Sequence, residues 1–273
     1  MARCEGRAES VIVILMPIFS LRTGIIFVLL AALPALPLPA QWIHLPSKET
    51  PHTADGKPDL TAPARRTAAG HPDLEGIWQV EMKYLTNVAA DLKDGEVPFQ
   101  PASKKIFDAR QNDGFDAKND PAARCIPGMP KLNALPYPFK IVDTPKEVII
   151  LYEGFTTFRQ VHMDGRGLPK DPNASWIGYS VGRWEKDALV VDTIGINETT
   201  WMDNAGHPHS DALHVTERFR RVDFGHLDID MTFDDPKTYT KPWTITEHAR
   251  IVPDSELLEY ICTENNRGYE HLQ

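Results

Sequence analysis

Two glutamates stand where the strand pattern demands apolar side chains. In LHVTERFRR, residues 213–221, Leu213, Val215 and Phe219 share one face, and Glu217 falls on it. In WTITEHARI, residues 243–251, Trp243, Ile245, Ala249 and Ile251 share a face with Glu247. A carboxylate on the apolar side of a sheet must be protonated, paired or wet, because an isolated charge is costly there. With a raised pKa such a group serves as a general acid or base. Arginine partners are present. WIGYSVGRW, residues 176–184, puts Arg183 in a set with Ile177, Tyr179 and Val181. FTTFRQVHM, residues 155–163, has two open faces, one with Phe155, Arg159, Val161 and Met163, the other with Phe158, Gln160 and His162. An inward arginine would orient a substrate by an anionic group, or would only pair with a glutamate and fix strand register.

The second constellation is GHPHSDALHVTERFRR, residues 206–221. His207 and His209 in an H-x-H loop offer two imidazoles to zinc or copper, with a third ligand from Asp211, Glu217 or His162. Without metal, His209 is a proton shuttle beside Glu217, tuned by Asp211 or Glu217. The plain alternative is a solvated loop with hydrogen-bonded histidines. His162 and the following Asp164 and Arg166 join this site only if their turn lies at the same end of the fold. Tyr239 and Trp243, in DDPKTYTKPW, are candidates for stacking on a ligand, or for core packing. Ser180 and Ser210 lack a nucleophile-elbow context, and the chain contains no P-loop and no dinucleotide fingerprint.

These residues need elements to hold them, and the elements are strands. GIWQVEMKY, 76–84, alternates Trp78, Val80, Met82 and Tyr84 with polar residues. Further strand patterns cover 147–153, 155–163, 176–184, 188–196, 213–221, 227–233, 243–251 and 257–263. The last six form three hairpins across EKD, VDFGH and VPDSE. PASKKIFDARQ, 101–111, reads as a short helix opened by Pro101. Long helical patterns between strands are missing, so a parallel sheet is excluded as the main plan. About nine strands in succession predict an all-β fold, an antiparallel meander that closes on itself and so removes its edges. A loop-rich insertion precedes the main meander.

The chain has 273 residues, enough for one domain and a leader. Its net charge of −9 excludes a phosphate-backbone binder, so no nucleic acid is expected as partner. TGIIFVLLAALPALPLPA, 23–40, preceded by Arg22, reads as a secretory signal with cleavage after Ala40; translation starts at Met1 or at Met16. Membrane contact is expected only through that segment if it stays uncleaved. Residues 1–40 are thus a signal peptide, 41–74 a Pro-rich extended arm, and 75–273 the barrel domain. The arm contains a weak echo, TADGKPDL and TAAGHPDL. Beyond the leader two cysteines remain, Cys125 and Cys262, an even pair that suits a disulfide in an oxidising compartment.

The Gly-x-Trp of GIW on the first strand, followed by hairpins, is similar to lipocalin-like (calycin) barrels. PDLEGIW, YSVGRWEKDALVVDT, GHPHSDALHVTERFRR and DDPKTYTKPWT resemble a large family of secreted bacterial proteins, over roughly residues 55–265. The resemblance implies a shared fold and a secreted or periplasmic location, and brings no activity with it. The residues lead to a small-molecule enzyme using acid–base chemistry in a barrel lumen, a lyase, isomerase or hydrolase. Glu217 and His209 would transfer protons, with Glu247 and His162 beside them, and Arg183 or Arg159 would orient the substrate. Two alternatives stay open, a non-enzymatic binder using the same lumen and a His-ligated metalloprotein. No cofactor is expected outside that last case.

Overall fold

A computed structural model describes residues 47–112 and 119–264. The leader, its cleavage point and both candidate starts lie outside the described residues. Nine strands close into one barrel in sequence order: β1 Gly76–Val80, β2 Phe139–Asp143, β3 Glu147–Tyr152, β4 Thr157–His162, β5 Tyr179–Glu185, β6 Ala188–Ile194, β7 His214–Arg221, β8 His226–Asp234 and β9 Trp243–Ile251. β9 returns to pair with β1, Trp78 opposite Ile251 and Val80 opposite Ala249. All neighbours are antiparallel except β4 and β5, which run parallel and meet at only two positions, Val161 with Ser180 and His162 with Val181. The barrel is therefore the expected all-β meander with one weak seam. It is compatible with a lipocalin-like barrel.

Register fixes which side chains face the lumen. Pairing across the sheet places Trp78, Phe139, Ile141, Ile150, Tyr152, Arg159, Val161, Val191, Glu217, Phe219, Ile229, Met231, Ile245, Glu247 and Ala249 on one continuous inner face. Nearly all of them are fully buried, and each large apolar member contributes about 1.5–3 kcal/mol by leaving water. The outer wall is a polar lattice. Arg220 pairs with Asp228 and Asp230, and Thr232 faces Thr244.

Three strand expectations are corrected. β1 ends at Val80, and Lys83–Thr86 forms a single helical turn, α1, so Met82 is exposed while Tyr84 is buried. Residues 257–263 are not a strand, because β1 already occupies the free edge of β9. They climb instead past β3, where Leu258 N donates to Glu153 Oε2 at 3.0 Å, and Tyr137 packs on Tyr260. The strand not anticipated is β2, whose FKIVD lies between prolines in a stretch that reads as loop. Helix α2, Pro101–Asn112, follows the expected segment.

Two covalent and local features hold the ends. Cys125 and Cys262 form a disulfide that ties the insertion to the C-terminal segment, a bond that persists in oxidising compartments. At the end of the barrel that carries the 222–225 turn, Trp78 donates from Nε1 to Leu74 O at 3.0 Å, and the Arg221 guanidinium lies 5.0 Å over its ring. Arg221 also donates to the carbonyls of Asp73, Asp223 and Phe224. Leading into this lock, the echo in the sequence is an echo in structure. Thr53 N bonds Lys57 O and Thr67 N bonds His71 O, both at 2.8 Å, with Gly56 and Gly70 at φ +81° and +87°. Leu60 and Leu74 end the two turns; Leu60 O accepts from Gly225 N, and Leu74 enters the core. Among the described residues no helix is long and apolar enough to cross a membrane.

Candidate functional site

β7 and β9 deliver Glu217 and Glu247 to the lumen, as the alternation requires, and each is at most 1% exposed. β4 delivers Arg159, which resolves the open faces of that strand: Arg159 and Val161 point in, and Phe158, Gln160 and His162 point out. Arg159 forms an ion pair with Glu217 through Nη2. The same guanidinium donates from Nε to Ser180 Oγ at 2.9 Å and from Nη2 to Thr193 Oγ1 at 2.6 Å. Burial works against the Arg159 charge, but Glu217 and Tyr152 outweigh it and hold the guanidinium protonated.

Asn133 enters from the insertion, on a wholly buried 3-10 turn, Lys131–Ala134. Its Nδ2 donates to Glu217 Oε1 at 3.3 Å, and its Oδ1 accepts from the Tyr152 hydroxyl at 2.8 Å. The cluster therefore holds one arginine and two carboxyl groups. Arg159 neutralises Glu217, while Glu247 feels burial and the Glu217 charge, offset in part by a hydrogen bond with Asn133. Burial, reinforced by the negative charge of Glu217, pushes Glu247 up to about 8. At neutral pH it is largely a carboxylic acid and a hydrogen-bond donor. Arg159 Nη1 and Glu247 Oε2 are buried and have no hydrogen-bond partner in the protein; Trp243 Nε1 is a third such atom, four residues along β9.

The remaining predicted residues are distributed elsewhere. Arg183 is a correction: it lies on the outer wall, paired with Glu185 at 2.9 Å and Asp192 at 2.6 Å. The inner face of β5 is Ser180, Gly182 and Trp184. Gly182 leaves room for Met163 and Val161, which would meet a Cβ there at 2.5 and 2.7 Å. Small residues thus conceal the inward side, and Val181 imitates it. Tyr179 and His162 are also outside, rings 5.1 Å apart, with the Tyr179 hydroxyl accepting from Arg166 at 3.2 Å. His162 stands where β4 ends, at the rim of the β2–β3 turn, and the 195–213 loop leaves β6 at the opposite rim, so the two do not converge.

His209 does not reach Glu217. Its Nε2 bonds Thr200 Oγ1 at 2.9 Å and its Nδ1 faces Ser210 O at 3.2 Å, and burial lowers its pKa, keeping it neutral. The expected Glu217–His209 proton pair is therefore not assembled, because the loop folds the imidazole against its own backbone. His207 bonds the buried Asp203 at 2.6 Å and packs against Phe107 at 4.4 Å. Asp211 pairs with Lys237 at the surface. The suggested metal set is thus dispersed among three different partners, and among the described residues no three His, Cys, Asp or Glu side chains gather as a metal site. Tyr239 and Trp243 pack on each other at 5.2 Å, and the Tyr239 hydroxyl donates to Pro208 O at 2.8 Å. Both are packing residues over the lumen mouth.

A pocket of about 320 Å³ opens at the seam. Thr157–Gln160 of β4 pair with β3 on one side and with no strand on the other, since β5 joins only at Val161. Phe158, Trp176, Ile177 and Tyr179 line the pocket, and Arg159 and Ser180 belong to its lining too.

The fold and cluster define a class of protein: a closed nine-stranded β-barrel with a buried polar cluster in its lumen. Comparison with known proteins takes this no further, since no family model matches the chain and no curated protein or solved structure matches it.

Proposed function

We propose that the protein is an exported small-molecule-binding barrel of the cell envelope, and that its ligand is uncharged and carries a hydrogen-bond acceptor. One observation carries the reading. With Glu247 protonated, both unpartnered atoms of the cluster, Arg159 Nη1 and Glu247 Oε2, are donors. An unmet buried donor costs about 1–3 kcal/mol, and a carbonyl or hydroxyl oxygen would satisfy it. Charge argues for a neutral guest. Glu217 already balances Arg159, so a carboxylate ligand would add an uncompensated charge in a dry site. The disulfide and the apolar leader support export, as does the resemblance to a secreted family.

A second reading, acid–base catalysis, is favoured by Glu247 itself. A carboxylic acid poised near neutrality can donate a proton to a bound substrate and polarise a carbonyl by hydrogen bonding. Calorimetric titration with acetophenone, benzoate and ethylbenzene tests the binding reading. The ketone should bind at least tenfold tighter than either analogue. Equal affinities, or no binding by any of the three, overturn it. For catalysis, Glu247→Gln keeps an N–H donor and removes the transferable proton. Loss of turnover at retained affinity would then favour the enzyme.

A further inference from the structure

We infer that the β4–β5 seam is the ligand's own binding site, and that it selects ring-sized, neutral molecules with one flat apolar face and an acceptor at one end. This rests on the lumen reading above and specifies where and how the ligand sits. β4 and β5 share two paired positions, the fewest of any neighbouring strands, and β1 shares three with each of its neighbours. Two paired positions join β4 to β5, against five to eight for most of the other neighbouring pairs. The connection after His162 returns as Ser175–Gly178, which lines the same pocket as the unpaired Thr157–Gln160 of β4.

The lining of the pocket in this gap mixes aromatic and apolar side chains with polar ones, Gln160, His162, Arg159 and Ser180 among them. Outside stand two large aromatic side chains that a folded chain ordinarily covers, Phe158 at 58% and Trp176 at 39% exposure, with Ile177 between them and β5. Such rings bind flat apolar faces by dispersion and stacking. Inward stand Arg159 and Ser180, already joined by the 2.9 Å bond from Nε to Oγ. Arg159 is 2% exposed, and its Nη1 has no partner. This is the independent sign of a ligand, a buried donor without an acceptor on a side chain of the pocket wall. A volume of about 320 Å³ suits a single-ring compound and lies at the lower end of small-molecule sites, roughly 300–1,000 Å³. Carboxylates are disfavoured twice, by the neutral Arg159–Glu217 pair and by the protein's net charge of −9. The inferred guest lays its ring against Phe158 and Trp176 and turns a carbonyl or hydroxyl oxygen toward Arg159 Nη1.

The test uses acetophenone as probe on the full chain, with Phe158→Ala, Trp176→Ala and the double variant, followed by calorimetry and tryptophan fluorescence. Both side chains are exposed, so the melting temperature should hold while the dissociation constant rises at least tenfold in the double variant. Acetophenone should quench wild-type fluorescence, and that quenching should shrink in Trp176→Ala. If affinity in the double variant stays within twofold of wild type, the seam site is wrong. If Glu247→Leu weakens acetophenone in that case, the lumen reading survives without it. If wild type does not distinguish acetophenone from ethylbenzene, both fall together.

Discussion

Replacing Glu247 with glutamine should change how stability depends on pH, and the sign follows from the direction of its shift. In the unfolded chain this carboxyl titrates near its ordinary 4.5, and in the folded barrel near 8. Between those values the folded state holds a proton that the unfolded state has released. Stability from this group is complete below about pH 4.5 and is lost as pH rises toward 8. One proton corresponds to a slope of about 1.4 kcal/mol per pH unit. Over the interval from 4.5 to 8 the loss reaches at most about 5 kcal/mol, against a total stability on the order of 5–15 kcal/mol. The assay is urea unfolding of wild type and Glu247→Gln at intervals from pH 5.5 to 7.5, with the disulfide intact. Every other titratable group is common to both proteins, so the difference between the two curves isolates Glu247. Wild type should lose about 3 kcal/mol relative to the variant across those two units. A difference that stays constant within about 0.5 kcal/mol would refute the reasoning, because it would mean that Glu247 carries no extra proton in the native state.

Four further outcomes follow from the same structure. Arg159→Met strands the Glu217 carboxylate in the lumen and should cost about 3–5 kcal/mol, while Arg159→Met with Glu217→Leu should recover much of it, as urea midpoints would show. Removing the disulfide by Cys125→Ser with Cys262→Ser should destabilise by about 2–5 kcal/mol, since the bond closes a 137-residue separation. Arg183→Ala removes only outer-wall ion pairs and should alter stability by less than about 1 kcal/mol, with acetophenone affinity unchanged. Exhaustive chelation should leave the melting temperature unchanged, because His207, His209 and Asp211 are engaged by Asp203, Thr200 and Lys237.

Much of the barrel was legible because period-2 alternation is strong in β7, β8 and β9. There Leu227, Ile229, Met231 and Phe233 alternate with aspartates and threonine, and the same rule placed Glu217 and Glu247 inside. Legibility failed where side chains carry little burial signal. On β5 the inward positions are Ser180 and Gly182, so the alternation pointed to Arg183 by one residue's slip. Such a slip moves every side chain to the other face. Asn133 had no pattern at all, because it lies in a proline-broken stretch whose buried turn is set by tertiary packing. Tyr152 could have been found, since it follows Val148 and Ile150 on one face of EVIILYE. Thr193 follows Leu189 and Val191 in the same way. The parallel seam was hidden because nothing in DGRGLPKDPNAS distinguishes a turn from a crossing connection.

The most direct measurement is a carboxyl titration by carbon-13 NMR on protein labelled at glutamate Cδ, with the Glu247→Gln spectrum supplying the assignment. One resonance, absent from the variant, should titrate near pH 8. If that resonance instead moves at pH 4 to 5, Glu247 is a carboxylate in the native barrel. Glu247 Oε2 would then be an unmet acceptor rather than a donor, and the case for a neutral, acceptor-bearing ligand would be lost.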